Sequence, residues 1–417
     1  MDNISVPAYY SKFACIGPRC EDTCCSGWTI SIDSATYDKY TKNTHQKLAP
    51  LFRLAVSKNL FPSSDSTYGQ MKMKANGSCH FQEEDKLCAI QKNLGAKALS
   101  TTCKVYPRYL NQFGSQRENA LGISCPEAAR LVLLNPEPMQ FGMVALDPGV
   151  DDQTFRSYRF PLQNDGDPSQ IAVLNDFRAV IIATLQLRTM SVGARMMVLG
   201  CLLEDANRIV TADTFVNASE LSSTLASFAG MLSNPAALEA QFVQIQPNVA
   251  RKLETITEMI SSSLMVGASA RFNECLLAAA EGLDADPVNE AGTPGVLARY
   301  LQSYTAFYAP FFKDRQHIFE NYLVNQVIAR LFPFTRGTYL DLYRELVFNL
   351  SITQVLLVGM AAKYEGLDET RVIQLFQSFS RKSDHNRSHL DTLVKALGSG
   401  AQDSFVDVMW LLKDVHP

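Results

Sequence analysis

No stretch of 18 consecutive apolar residues occurs in this 417-residue chain, which argues against a membrane-spanning helix. The best candidate, Leu346 to Ala362, carries no charge, but Asn349, Ser351, Thr353 and Gln354 interrupt it, so it reads as a buried helix. The opening residues MDNISVPAYYSKFAC have neither an apolar h-region nor a small-residue cleavage site, so no secretory signal is expected and the expected location is cytoplasmic. A strong basic excess is also missing. The net charge is −4, which gives no sign of a nucleic-acid partner or of a polybasic membrane binder. Internal repeats and low-complexity tracts are absent. Disorder is excluded too, because 47% hydrophobic and 19% charged residues are ordinary for a folded protein.

What the chain does have is an asymmetry. Eight of its ten cysteines lie between Cys15 and Cys125, with only Cys201 and Cys275 beyond. Residues 1–130 hold 16 Lys/Arg against 11 Asp/Glu, whereas 131–417 hold 22 against 31. In a reducing compartment a dense cysteine set points to metal binding or catalysis before disulfides. The spacing is C15-x4-C20-x3-C24-C25, then C79-x8-C88-x14-C103-x21-C125. Thiolates suit zinc and iron–sulfur clusters. Structural zinc sites usually pair two short C-x2–4-C knuckles, and the second half here has none, so iron–sulfur is favoured and zinc is the alternative. Adjacent Cys24 and Cys25 are poorly placed to bind one ion together. The spacing leaves open which four of Cys15, Cys20, Cys24, Cys25, Cys79, Cys88, Cys103 and Cys125 bind a cluster, and whether there are one or two. Cys201 and Cys275 read as buried thiols.

The expected fold is mainly α: a multi-helix C-terminal region packed with a small, irregular cysteine-rich N-terminal module containing short β-strands. The module is read as residues 1–135, a linker or long surface loop as 136–168, and the helical region as 169–417. Trp28, Ile30 and Ile32 alternate with polar residues as in a strand, and Met71, Met73, Asn76-Gly77, Cys79 and Phe81 suggest a hairpin. A helix is expected over Leu87 to Leu94, stopped at Gly95, and another after Cys125-Pro126. Pro, Gly and Asp crowd 136–168. Beyond it, Asp167-Pro168 and Ser191 read as helix starts. Helical periodicity continues over Pro247 to Leu264, Ala268 to Gly282, Asp314 to Phe332, Tyr339 to Tyr364, Thr370 to Ser380 and Asp403 to Val415.

The strings FACIGPRCEDTCCSGWTISID, CHFQEEDKLCAIQKNLG, TTCKVYPR and SCPEAARL, in that order, resemble the flagellin lysine-N-methylase family, and the cysteine pattern is also similar to small putative iron- or zinc-binding proteins with a CC-containing cluster. These motifs cover about residues 7–135. The resemblance implies a bacterial cytoplasmic enzyme that methylates lysine ε-amines of flagellin, using S-adenosylmethionine as donor and a [4Fe-4S] cluster held by the cysteines. A dinucleotide-type Gly-rich turn is missing: Leu199-Gly200 lies in a helical pattern and Gly292-Thr293-Pro294-Gly295 follows no strand. The radical S-adenosylmethionine signature C-x3-C-x2-C fails as well, since position 27 is Gly27. A different reading is a non-catalytic metal-binding adaptor whose helices hold a helical partner protein.

Catalytic residues stay unassigned, with Asp22 and Arg108 as candidates. Asp22 and Glu21 lie between Cys20 and Cys24 and could orient or deprotonate an amine, or simply be solvated. Arg108 could offset cluster charge or clamp a donor carboxylate, or pair with a surface acid. Glu127 favours a helix start, and Cys125 as its cap would be stabilised as thiolate. Tyr106 and Trp28 could wall an ammonium or pack a core. His80 beside Cys79 is a secondary ligand candidate. His385 and His389 read as solvated.

Overall fold

A computed structural model of the chain describes residues 3–26, 30–62, 64–145, 156–158, 167–210, 216–265, 267–284, 293–334, 338–384 and 405–414. Trp28, His385 and His389 lie outside these. The chain is mainly α, and among the described residues its strands all lie between Asn3 and Tyr158.

The N-terminal part runs β1 (Asn3–Pro7), β2 (Ile30–Ile32), α1 (Ser34–Thr41), α2 (Leu48–Ala55), β3 (Val56–Lys58), β4 (Gly69–Met71), α3 (Ala89–Leu94) and α4 (Thr101–Val105). It continues through β5 (Arg108–Phe113), β6 (Gln116–Leu121), α5 (Pro126–Leu133), β7 (Phe141–Ala145) and β8 (Arg156–Tyr158). Two sheets result. The smaller is antiparallel, in the order β2-β4-β3, with Ile30 opposite Met71. Period-2 burial of Ile30 and Ile32 sets its register. The expected hairpin closes through a bridge between Met73 and Cys79, and Gly77 takes the left-handed conformation its turn requires (φ 77°).

The larger sheet has the order β7-β1-β6-β5-β8. Its β5–β6 hairpin turns at Gly114 (φ 52°), and β1 and β8 join as parallel neighbours of β6 and β5. Sequence pattern does not disclose this sheet. Part of the stretch read as a linker is strand, because β7 pairs with all of β1. Its Phe141 and Met143 are exposed at the sheet edge, so it shows no buried alternation against its Pro- and Gly-rich flanks.

The helical region comprises α6 (Pro168–Leu185), α7 (Val192–Ile209), α8 (Ala218–Met231), α9 (Pro235–Gln244), α10 (Val249–Met259), α11 (Ala270–Leu283), α12 (Pro294–Ser303), α13 (Ala309–Phe312), α14 (His317–Ala329), α15 (Tyr339–Tyr364), α16 (Glu369–Ser383) and α17 (Val406–Met409). Side-chain caps fix several starts: Asp167 accepts from the Ser169 amide, Ser191 from Ala194 and Asn248 from Arg251, while Thr338 and Asp341 form a capping box. Helix α15 is long and apolar enough to cross a membrane by length and composition, but 89% of its apolar window is buried inside the protein. Two of its buried hydroxyls bond inside the protein: Ser351 donates to the Leu411 carbonyl (3.0 Å) and Thr353 to that of Asn349 (2.8 Å).

One apolar core joins Tyr9, Phe113, Leu121, Ile123 and Val132 to the helices, so β5, β6 and α5 share the bundle's interior. A second core, confined to residues 30–90, holds Ile30, Ile32, Tyr40, Phe52 and Phe81. Buried polar contacts lock the larger sheet down. Tyr9 donates to Asn325, whose amide donates to the Leu121 carbonyl (3.1 Å), and Arg178 pairs with Glu118 while donating to the Phe332 carbonyl (2.6 Å).

Helices α11 and α15 approach closely through glycine. A methyl group on Gly282 would meet the Gly359 carbonyl oxygen at 2.0 Å, and one on Gly359 the Ala279 carbonyl oxygen at 2.6 Å. Gly282→Ala is therefore expected to cost about 1–3 kcal/mol through overpacking. Gly230→Ala on α8, where nothing lies within 4 Å, should gain about 0.5 kcal/mol. Urea unfolding of both variants checks this, and equal effects would contradict the close-packing account.

Candidate functional site

The site is built on the segment carrying Cys20, Cys24 and Cys25. Two short 3-10 turns, Tyr10–Lys12 and Gly17–Arg19, lead into it. Asp22 then accepts from the Thr23 amide (2.7 Å), and the Thr23 hydroxyl accepts from the Cys25 amide (3.0 Å) and from Gln82 (2.7 Å). The Cys79 amide donates to the Cys25 carbonyl (2.7 Å) and Ser26 bridges Ser78, which fastens this segment to the hairpin. Cys88 caps α3, and Cys103 lies in α4 with its amide on Ser100.

Four thiols, Cys25, Cys79, Cys88 and Cys103, surround the second core, with Cys79 buried and the others half-buried. Cys24 is their electrostatic neighbour: its charge is felt by Cys25, Cys79, Cys88 and Cys103, and also by Cys125. A further set follows, because Cys125 also feels Cys20, and Cys20 feels Cys15. Cys24 and Cys25 share a hydrogen bond that lowers Cys24 to about 7 and raises Cys25. Burial pushes Cys103 and Cys125 up to about 12, and raises Cys20, Cys79 and Cys88 as well. Cys201 and Cys275 sit apart, on α7 and α11.

Asp22 is the pivot. Its carboxylate accepts from the Arg381 guanidinium (2.7 Å) and the Gln377 amide (2.8 Å), both on α16. Burial alone would raise this carboxyl, but Arg381 outweighs it and holds Asp22 below the usual carboxylate range. Arg381 also donates to the carbonyl and, at 2.6 Å, the hydroxyl of Ser26. Gln377 extends the network to the Ser124 carbonyl (2.8 Å) and accepts from Arg271 (2.9 Å), while the Tyr106 and Ser124 hydroxyls lie 3.1 Å apart. Glu21 accepts a two-pronged contact from Arg130 (2.6 and 3.1 Å), which also donates to Glu127 (3.1 Å).

The two acids between the cysteines thus act as anchors onto the helices. Arg108 lies on β5 with its guanidinium over the rings of Phe13 (5.1 Å) and Tyr10 (5.9 Å). His80 is half-buried beside Cys79. Sequence reasoning missed Arg381, Gln377, Arg271 and Arg130, whose partners lie up to 359 positions away. In the structure α16 buries a polar set, with Gln377, Ser380 and Arg381 all concealed, which no local sequence pattern announces.

The donors suit a thiophilic metal group: they are thiols, mutually repelling once ionised, and gathered from four segments around one core. Among the described residues, however, no three Cys, His, Asp or Glu side chains converge as a ready metal site. The thiols share a neighbourhood without forming such a site.

The architecture defines a thiol-rich module docked on a helical bundle. The C-terminal domain of FliB lysine N-methylases matches residues 178–411, and the chain belongs to this family. It is 35% identical over 140 residues to the flagellar biosynthetic protein FliU of Salmonella muenchen, covering 33% of this chain and 82% of that one. It is 33% identical over 162 residues to the lysine-N-methylase of Salmonella typhimurium, and likewise to that of Salmonella choleraesuis. Those matches span 38% of this chain and 39% of each lysine-N-methylase. No solved structure matches.

Replacing Arg381 by Met should leave Asp22 buried without its cation and cost about 3 kcal/mol. Hydrogen exchange read by mass spectrometry should then show lost protection over residues 20–26, with β5 and β6 unchanged. Unaltered protection of that loop would contradict its anchoring role.

Proposed function

We propose that this chain is a cytoplasmic protein-lysine N-methyltransferase, moving methyl groups from S-adenosylmethionine to ε-amines of flagellin lysines. The observation that carries this reading is the thiol neighbourhood pinned by Asp22 to α16 in a chain of the FliB lysine N-methylase family. The names of the flagellar and lysine-N-methylase relatives support the reaction and the partner. In the net reaction the bond from the donor's sulfonium to its methyl carbon breaks and a nitrogen–carbon bond forms. The ammonium loses one proton, and S-adenosylhomocysteine leaves.

Cys79, Cys88, Cys103 and one of Cys24 and Cys25 would hold a [4Fe-4S] cluster or, failing that, zinc, with Cys15, Cys20 and Cys125 as the adjoining set. Bound there, the cluster would supply a cationic core that offsets thiolate repulsion and ties these segments together. The hydrogen bond between Cys24 and Cys25 favours Cys24 as thiolate, the form a metal needs. Asp22 and Arg381 position the loop and keep water from its buried side.

Co-expression with flagellin followed by intact-mass measurement tests the reading. Whole-methyl increments on flagellin, absent without this chain, are expected. Unmodified flagellin alongside a metal-replete chain would overturn it, and a colourless chain with stoichiometric zinc and no methylation would favour the adaptor.

Ser substitution at Cys24, Cys79, Cys88 or Cys103 should lower iron content and methylation together. Cys201→Ser and Cys275→Ser should change neither, beyond a packing cost of about 1 kcal/mol. Metal analysis of the variants checks this, and iron lost only from the Cys201 or Cys275 variants would contradict it.

A further inference from the structure

The methyltransferase reading leaves the donor without a place, and a cavity of about 350 Å³ in the helical region has suitable chemistry. It lies among the start of α7, helices α9, α14 and α15, the segment before α13 and the end of the described chain. One wall is aromatic. Residues Tyr304–Tyr308 form a π-turn, a wide turn common at functional sites. Tyr304 and Tyr308 stack at 5.1 Å, and Phe242 and Phe319 complete the lining.

The polar groups are specific. Lys413 is 4% exposed, donates to the Phe242 carbonyl (3.1 Å) and lies 4.4 Å over that ring. Burial lowers its pKa, partly offset by Glu239. Among the described residues no carboxylate reaches ion-pair distance of Lys413. The neighbouring Asp414 is already engaged, accepting from Lys252 (2.8 Å) and from the Tyr300 hydroxyl (2.9 Å). A buried ammonium without its own counter-ion, on the wall of a cavity, favours an anionic ligand group. Glu239 also lines the cavity, fixed by the amide (2.8 Å) and hydroxyl (3.1 Å) of Ser191.

We propose that this cavity binds a nucleoside carrying a free α-amino acid arm, of the S-adenosylmethionine type, its carboxylate on Lys413, its base against the tyrosine wall and its ammonium toward Glu239. The placement rests on the methyltransferase reading. It adds Lys413, Tyr304 and Tyr308 as binding residues remote in sequence from the cysteines.

Calorimetric titration of the full, metal-containing chain with S-adenosylhomocysteine and with 5′-methylthioadenosine, which lacks the amino-acid end, tests it. S-adenosylhomocysteine should bind more tightly. Lys413→Gln should weaken it about 10-fold while shifting methylthioadenosine less than about 2-fold, the loss of one charge-assisted hydrogen bond. Lys413→Arg should retain the preference, and it serves as the charge-preserving control should the Gln variant unfold. Tyr304→Ala should weaken both ligands. The placement is overturned if Lys413→Gln binds S-adenosylhomocysteine like the parent, if it weakens both nucleosides equally, or if the parent binds neither. Flagellin mass measured on the same preparation separates the two ideas, since methylation that persists in any of those cases leaves the function standing and removes only the site.

Discussion

The contact between Asp22 and Arg381 is the constraint on which the rest of this structure depends. It joins a loop near the start of the chain to a helix near its end, 359 positions away. Both side chains are largely removed from water, where a charge is costly unless it is paired and hydrogen-bonded. Here each is. Arg381 also serves Ser26, and Gln377 serves Asp22 and Ser124 together. The cysteine segment has little apolar surface of its own, so this polar seam, more than hydrophobic burial, sets where Cys20, Cys24 and Cys25 stand.

Around that seam the thiols are arranged under tension of a chemical kind. Burial favours the protonated forms of Cys79, Cys88, Cys103 and Cys125, whereas a metal needs thiolates. Each thiolate formed raises the cost of the next, because they feel one another's charge. A multivalent cation would remove that cost, and on the proposed function its binding and the ordering of the module would be coupled. The second core, built on Phe52, Phe81 and Tyr40, supplies a rigid wall that the Cys79, Cys88 and Cys103 segments share.

Much of the helical region was legible from local signals. Asp167, Ser191 and the Tyr339 to Tyr364 span stand where capping chemistry and periodicity put them, because such signals act within a single turn. The cysteine set was legible as a set through its density. The five-stranded sheet was not: β1 and β7 pair across more than 130 residues, and exposed Phe141 and Met143 blur the alternation of β7. Nor were the anchors of the site. Arg381 lies among serines and a lysine, and nothing near it in sequence announces that its partner is Asp22. In the sequence Glu21 and Asp22 read either as acids facing a reaction or as solvated; the fold turns both toward arginines, Glu21 to Arg130 at the surface and Asp22 to the buried Arg381, which offsets the cost of burying its charge.

X-ray absorption at the metal edge of the isolated full chain tests the central claim most directly. The account predicts a first coordination shell of sulfur, with about four sulfur donors per metal, and its disruption in the Cys24→Ser chain. A shell of nitrogen and oxygen only, or a sulfur shell indifferent to Cys24, would contradict it.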